Sequence, residues 1–134
     1  MQLLWAVDHG LRSGSKQMHR SLGLTGPQRL VLRIVGRSPG VTPSDLAALL
    51  HLDRGTLSGI LERLVAQRLL SRLPHPEDGR SVRLELTQKG KQLNRERAGT
   101  IEARVTRALA KLRAPEVKAA QKVLEALARE LTNA

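Results

Sequence analysis

Two adjacent stretches of this chain carry side chains suited to molecular recognition. Asp53-Arg54-Gly55-Thr56-Leu57-Ser58-Gly59-Ile60-Leu61-Glu62-Arg63-Leu64 reads as a helix with one polar edge. Ser71-Arg72-Leu73-Pro74-His75-Pro76-Glu77-Asp78-Gly79-Arg80-Ser81-Val82-Arg83-Leu84-Glu85-Leu86-Thr87 reads as a tight hairpin with arginines near its tip. Arg54, near the helix start, could fork onto a guanine edge, while Thr56, Ser58 and Arg63 suit phosphates or a single base edge. Arg80, just past the Asp78-Gly79 turn, suits a narrow minor groove, where an arginine senses shape and potential rather than a unique base pattern. A helix for the major groove followed by a basic finger for the minor groove points to duplex DNA.

Composition supports a polyanionic partner. Lys and Arg number 23 against 12 Asp and Glu, a net charge of +11, which favours nucleic acid, with an acidic membrane surface as the competing reading. The excess is unevenly placed. Residues 1–40 hold six bases (Arg12, Lys16, Arg20, Arg29, Arg33, Arg37) against Asp8, and residues 87–114 hold eight bases against Glu96 and Glu102. Residues 41–86 balance at six against six, and residues 115–134 at three against three. The candidate reading segment is therefore neutral in sum, and the basic background comes from its flanks. Trp5 is the sole aromatic residue, so platforms for stacking single-stranded bases are missing. The core must be built from Leu, Val, Ile and Ala, a palette suited to helices packing on helices. Cysteine is absent, which removes disulfides, thiolate redox sensing and cysteine-based zinc sites. Leu3-Leu4-Trp5-Ala6-Val7 is too short for a signal peptide, and no apolar run approaches the ~18–20 residues that span a bilayer. These features predict a soluble, cytoplasmic protein with no membrane partner.

The elements that must position the two stretches are marked by caps and periodicity. Leu4, Val7, Leu11, Met18 and Leu22 predict a helix over 2–20, with a weak centre at Gly10, Ser13, Gly14 and Ser15 where it should kink. Thr25-Gly26-Pro27-Gln28 is a capping-box start, followed by the stripe Leu30, Val31, Ile34 and Val35 and a stop at Ser38-Pro39-Gly40. Thr42-Pro43-Ser44-Asp45 starts a short helix with an apolar face of Leu46, Leu49 and Leu50, ending near His51. Asp53 caps the next helix, whose apolar positions are Leu57, Ile60, Leu61, Leu64 and Val65. Two short helices with separate caps form a helix-turn-helix pattern. The period then changes to two: Val82, Leu84 and Leu86 mark a half-buried strand. Pro74 and Pro76 imply a short or irregular incoming arm. Thr87 caps a long helix predicted through about Arg113, with Leu93, Ile101, Val105, Leu109 and Leu112 as its stripe. Ala114-Pro115 starts the last helix.

This order resembles the MarR family of winged helix-turn-helix transcriptional regulators. The carrying residues are Leu24-Thr25-x-x-Gln28-x-x-Val31-Leu32, Val41-Thr42-x-x-Asp45-Leu46-Ala47-x-x-Leu50 and, most specifically, Pro74-x-Pro76-Glu77-Asp78-x-Arg80-Ser81-Val82-x-Leu84-x-Leu86-Thr87-x-Lys89-Gly90. The resemblance covers roughly Leu3 to Leu131. It implies a mainly α fold with a small β-hairpin wing (α+β) in a single 1–134 domain. The DNA-binding lobe would span 25–88, with the helix-turn-helix at about 42–67 and the wing at about 70–87. Residues 1–22 and 90–134 would be dimerisation helices of an obligate homodimer on a pseudo-palindromic operator. The DNA-binding set implied is Thr42, Ser44, Arg54, Thr56, Ser58, Gly59, Arg63, Arg72, Asp78 and Arg80, with Asp78 holding an arginine, Arg72 being the candidate. One departure stands out: the family often has a Thr-Arg pair where this chain has Ser58-Gly59, which removes a common base-facing arginine.

Many relatives bind small anionic or phenolic effectors where the dimer helices meet the winged lobe. Trp5, His9, Arg12, Met18, His19 and Arg33 could contribute to such a pocket, with His9, Arg12 and Arg33 foremost. Interface packing or plain surface explains each of these residues at least as well. Arg80 and Arg54 have solvation as their bland alternative, and most bases of the 87–113 helix suit a solvated face. His9, His19, His51 and His75 lack metal-ligand spacing, and no nucleophile, base and oxyanion set is present. Neither a metal, nor a cofactor, nor an enzymatic activity is expected. The favoured reading is a sequence-specific regulator, most simply a repressor relieved by an effector. A sequence-tolerant nucleoid-like protein of the same fold is the alternative, and a helical interaction adaptor is the third reading.

Overall fold

The computed structural model describes residues 1–133. Its element order is α1 (Gln2–Leu22), α2 (Gly26–Arg37), α3 (Pro43–Leu50), α4 (Arg54–Ala66), β1 (Leu70–Pro74), β2 (Val82–Leu86), α5 (Gln88–Arg95), α6 (Ile101–Leu109) and α7 (Ala114–Thr132). The chain forms two compact units, Met1–Ile101 and the segment from Glu102 onward. Helices with one two-stranded antiparallel sheet make the mainly α, winged architecture that the sequence predicts.

Four polar caps set the helix starts of the first unit. Thr25 and Gln28 form a reciprocal capping box: the Gln28 amide donates to Thr25 Oγ1 at 3.4 Å, and Gln28 Oε1 accepts from the Thr25 amide at 3.0 Å. Thr42 accepts from the Asp45 amide, Asp53 from the Thr56 amide and Thr87 from the Gly90 amide. The core lies among α2, α3, α4 and the sheet. Leu24, Val31, Leu32, Val35, Leu46, Leu57, Leu61, Leu64, Leu69, Leu70 and Leu84 are all buried there. Complete burial of such an aliphatic side chain contributes about 1.5–3 kcal/mol. No aromatic ring takes part.

The buried face of α2 is turned from the predicted stripe. Gln28, Arg29, Val31, Leu32 and Val35 point inward, while Leu30 is 49% exposed. Leu49 of α3 is also exposed, because Leu46 and the half-buried Leu50 complete that short helix's inner face. Helix α1 runs unbroken through its small residues and extends to Leu22. Its glycine and serine are docking points: Gly14 is buried, and Ser15 Oγ accepts from the Gly26 amide at 2.7 Å. A sequence that looks weak as a helix is what lets α2 start against it.

The wing is a regular hairpin. Leu70 pairs with Leu86, Arg72 with Leu84 and Pro74 with Val82, so these six residues share one face of the sheet. The incoming arm is therefore a full five-residue strand. Pro74 is tolerated because it occupies the last rung of the edge strand. On the other side of β2, Val41 forms a bridge to Leu84: the Leu84 amide donates to Val41 O at 2.9 Å. This bridge ties the wing to the residue that precedes α3.

The long helix predicted from Thr87 to about Arg113 is instead two helices. Helix α5 ends at Arg95, and Glu96 is extended at φ −61°, ψ 132°. Arg29, only 2% exposed, reaches the carbonyls left over at that end. Its guanidinium donates to Leu93 O at 2.6 Å, Asn94 O at 3.3 Å and Glu96 O at 2.5 Å. The final helix begins at Ala114, with Pro115 in its first turn, as predicted.

Gly90 is held by close approach. A Cβ at this position would lie 2.1 Å from the Leu69 carbonyl oxygen. Gly90→Ala should therefore destabilise the lobe by about 3 kcal/mol, since neither backbone can yield without moving the wing. Urea titration followed by far-ultraviolet circular dichroism measures this, and a loss below about 1 kcal/mol would contradict the contact.

Candidate nucleic-acid interface

The candidate surface begins at the start of α4. Asp53 Oδ1 accepts from the Thr56 amide at 2.8 Å, and Asp53 Oδ2 accepts from the Thr56 hydroxyl at 2.6 Å. The Thr56 hydroxyl and amide, in that order, hold the Asp53 carboxyl below its ordinary value of 3.8. This pairing alters what Thr56 can do: its one hydroxyl proton is committed to Asp53, so it can accept a hydrogen bond but not donate one to a phosphate. Thr42 is different, since its oxygen accepts from the Asp45 amide at 3.2 Å and its proton remains available.

Ser44, Arg54, Ser58 and Arg72 surround one open groove of about 320 Å³ together with Pro43, Leu57, Leu61 and Val82. Four of the residues expected from sequence to contact DNA thus converge, although they come from α3, α4 and β1. Apolar side chains form the floor and two guanidiniums stand at the walls. Among the described residues, no acidic group pairs with Arg54, Arg63, Arg72 or Arg80. Arg54 and Arg72, both exposed and unneutralised, give this groove a positive potential that the balanced residue count conceals.

Arg80 and Asp78 lie apart from this groove, at the exposed wing tip. The expected Asp78–Arg72 ion pair is not formed. Asp78 Oδ1 instead accepts from the Arg80 amide at 3.0 Å, and Asp78 O accepts from the Ser81 amide at 3.2 Å. The brace acts through the backbone of the turn, so it orients Arg80 while Arg72 is held by the sheet. His75 and Ser81 close the tip, with the His75 amide donating to Ser81 O at 3.0 Å. Gly59 has no atom within 4 Å of the position its Cβ would take, so no packing contact requires a glycine there.

The base of the wing explains the Thr87-x-Lys89-Gly90 pattern. Thr87 Oγ1 donates to Arg68 O at 2.6 Å, Lys89 Nζ donates to Gln67 O at 3.1 Å, and the Thr87 amide donates to Leu69 O at 3.1 Å. Three successive carbonyls at the end of α4 are satisfied by the start of α5. Arg68 between them is left-handed at φ 59°.

Two further points correct the sequence reading. Arg29 counted toward the basic flank, yet its burial removes it from any external partner. Its position immediately after the capping glutamine, on the inward face of α2, was the available signal. The proposed effector residues are dispersed around α1 and α2. His9 is exposed, and Arg12 Nε pairs with Asp8 at 2.9 Å on the exposed face of α1. Arg33 is half-buried on α2. Trp5 is 66% exposed, whereas Met18 is fully buried and serves packing. Among the described residues, no cluster of three or more His, Asp or Glu could hold a metal ion. Among the described residues, no helix is long and apolar enough to cross a membrane.

The order of elements, the wing bridged to α3, and α4 set beside it define a winged helix-turn-helix protein. A sequence model described as "MarR family" matches residues 22–81. An HTH-type transcriptional repressor of Mycobacterium tuberculosis is 30% identical over 125 residues, covering 93% of this chain and 90% of the relative. A mutant MarR of Escherichia coli complexed with operator DNA has a TM-score of 0.76 at 27% identity, over 94% of this chain and 91% of that one. The transcriptional regulator SlyA shares the fold, with a TM-score of 0.78 at 24% identity over 98% and 93% of the two chains. This chain belongs to the MarR family of transcriptional regulators.

The Asp53 cap carries a pH signature. A carboxyl held low in the folded state stabilises fully above its unfolded value of 3.8, and that stabilisation is lost as pH falls through the lower folded value. Asp53→Asn should keep the cap and flatten this dependence, whereas Asp53→Ala should lower the melting midpoint at neutral pH. Melting curves of the three proteins between neutral and acid pH test this. Equal acid sensitivity in Asp53→Asn and wild type would remove Asp53 from the account.

Proposed function

We propose that this protein is a sequence-specific, homodimeric repressor of transcription that binds duplex DNA. In this reading α4 lies in the major groove and Arg80 in the minor groove. The observation that carries it is the convergence of Arg54, Arg72, Ser44 and Ser58 on one groove between α3, α4 and the wing. Two guanidiniums and two hydroxyls over an apolar floor suit a sugar-phosphate backbone, with Arg54 at the helix start able to reach a base edge. The relative from Escherichia coli, whose structure holds operator DNA, supports the same assignment.

Dimerisation is supported by apolar surface that a soluble monomer would not leave open. On α1, Leu3, Trp5, Val7 and Leu11 are exposed, and on α7, Val123, Leu124 and Leu131 are exposed. Each of these helices carries an uncovered apolar face, and a second copy of the chain can cover them. Two copies present two lobes, which suits a pseudo-palindrome. The reading includes a release step, in which a small anionic or phenolic effector near His9, Arg12 and Arg33 lowers DNA affinity by population shift.

Fluorescence anisotropy against the duplex selected by the protein from random-sequence DNA tests the assignment. Arg54→Ala and Arg80→Ala should each cost about 1–3 kcal/mol of specific binding, roughly five- to 150-fold in Kd. Arg63→Ala should weaken all duplexes alike and reduce the salt slope by about one. Unchanged operator affinity in Arg80→Ala would remove the wing from the interface. Similar affinity for every duplex would favour the sequence-tolerant, nucleoid-like reading. Sedimentation equilibrium should give a dimer, and a stable monomer would overturn the two-lobe arrangement.

A further inference from the structure

Apart from Gly99, little in the local sequence of residues 88–109 marks the break after α5. The segment contains no proline, and Leu93, Ile101, Val105 and Leu109 keep a helical spacing across it. An uninterrupted helix would bond the carbonyls of Leu93, Asn94 and Glu96 to the amides four residues on, those of Arg97, Ala98 and Thr100. Those three carbonyls are the ones that the buried Arg29 guanidinium takes. The amides released are bonded locally: Arg97 and Ala98 donate to Glu96 Oε1 at 3.0 Å, and Thr100 donates to Arg97 O at 3.3 Å. Gly99 completes the turn at φ +74°, a conformation that an alanine would strain.

We propose that Arg29 is a positioning residue that holds the chain broken at Glu96–Thr100, and that a continuous α5–α6 helix is the alternative conformation when its guanidinium is withdrawn. Arg29 donates to carbonyls that a continuous helix would satisfy itself, and it shares them with the Arg97 guanidinium, which donates to Asn94 O at 2.5 Å and Glu96 O at 3.3 Å, and with the Glu96 amide, which donates to Leu93 O at 3.2 Å. The break lies in the first compact unit, shortly before its boundary with the segment from Glu102 onward. If the proposed dimeric reading holds, its conformation is coupled to the half-site spacing that two lobes can engage. This inference rests on that reading for its functional consequence, but not for the structural exchange itself.

Two variants reach the same alternative by independent routes. Arg29→Met removes the donors while keeping an unbranched apolar stem in the core. Gly99→Ala penalises the broken turn without touching the core, since the nearest atom to its Cβ is Ser21 Oγ at 3.6 Å. Hydrogen–deuterium exchange on the full chain should show the Arg97, Ala98 and Thr100 amides slowed about tenfold or more in both variants. Binding to duplexes whose half-sites are separated in single base-pair steps should show a shifted optimum. General destabilisation would instead weaken binding at every spacing without moving the optimum. Should Arg29→Met fail to fold, Gly99→Ala decides alone. Exchange at wild-type rates or faster would overturn the Arg29 assignment, and slowed exchange with an unmoved optimum would overturn its positioning role. If wild type selects no duplex at all, the DNA-binding reading falls, while the exchange pattern still decides what Arg29 does.

Discussion

The presentation of this protein's arginines depends on three carbonyl groups. Gln67, Arg68 and Leu69 leave α4 with their oxygens unused by the helix, and the first turn of α5 satisfies all three through Lys89, Thr87 and the Thr87 amide. Gly90 makes this possible by leaving room for the Leu69 carbonyl. The chain between these points is the wing, so both ends of the hairpin are anchored at the end of α4. The position of β1 against α4 follows, and with it the placing of Arg72 on the same groove as Arg54. The Val41–Leu84 bridge adds a second anchor toward α3. A loose loop bearing arginines would lose conformational entropy on ordering against a duplex. Here much of that ordering is already complete in the folded lobe.

The distribution of charge follows a related logic. Residues 41–86 are neutral by count, yet two of the six acids are turned onto local partners rather than onto the exposed arginines. Asp53 is turned onto Thr56 at the helix start, and Asp78 onto the Arg80 amide. Both carboxylates shape backbone and leave guanidiniums unneutralised. Arg29, by contrast, contributes to the count but not to the surface. Net charge summed along a sequence is thus a poor guide to the field at one face.

What could be read from sequence was local. The starts of α2, α3, α4 and α5 followed from Thr25, Thr42, Asp53 and Thr87, because a cap and its amide partner lie three residues apart. The turn at Asp78-Gly79 and the alternation of β2 were legible for the same reason. Errors arose where distant segments decide the outcome. The carbonyls at the break after α5 accept from Arg29, more than 60 residues earlier. Helix α1 continues through its weak centre, where Ser15 receives the Gly26 amide. Leu30 and Leu49 fit a helical stripe, but the turn of each helix toward its neighbours left them outside. The site was read with the same limits. Residue types named Ser44, Arg54, Ser58 and Arg72, while only the fold showed that they share one groove. Neither the commitment of the Thr56 hydroxyl to Asp53 nor the separation of Asp78 from Arg72 was visible beforehand.

The aliphatic core has a practical corollary. With no tyrosine or phenylalanine and a single tryptophan near the start of α1, the winged lobe is optically silent. Trp5 is 66% exposed, so intrinsic emission reports the surroundings of the first helix and little of the lobe's packing. Emission from Trp5 is therefore a built-in probe of whatever covers that helix, including a second copy of the chain. Melting of the lobe must be followed through the backbone, and the two signals together separate assembly from folding without an added label.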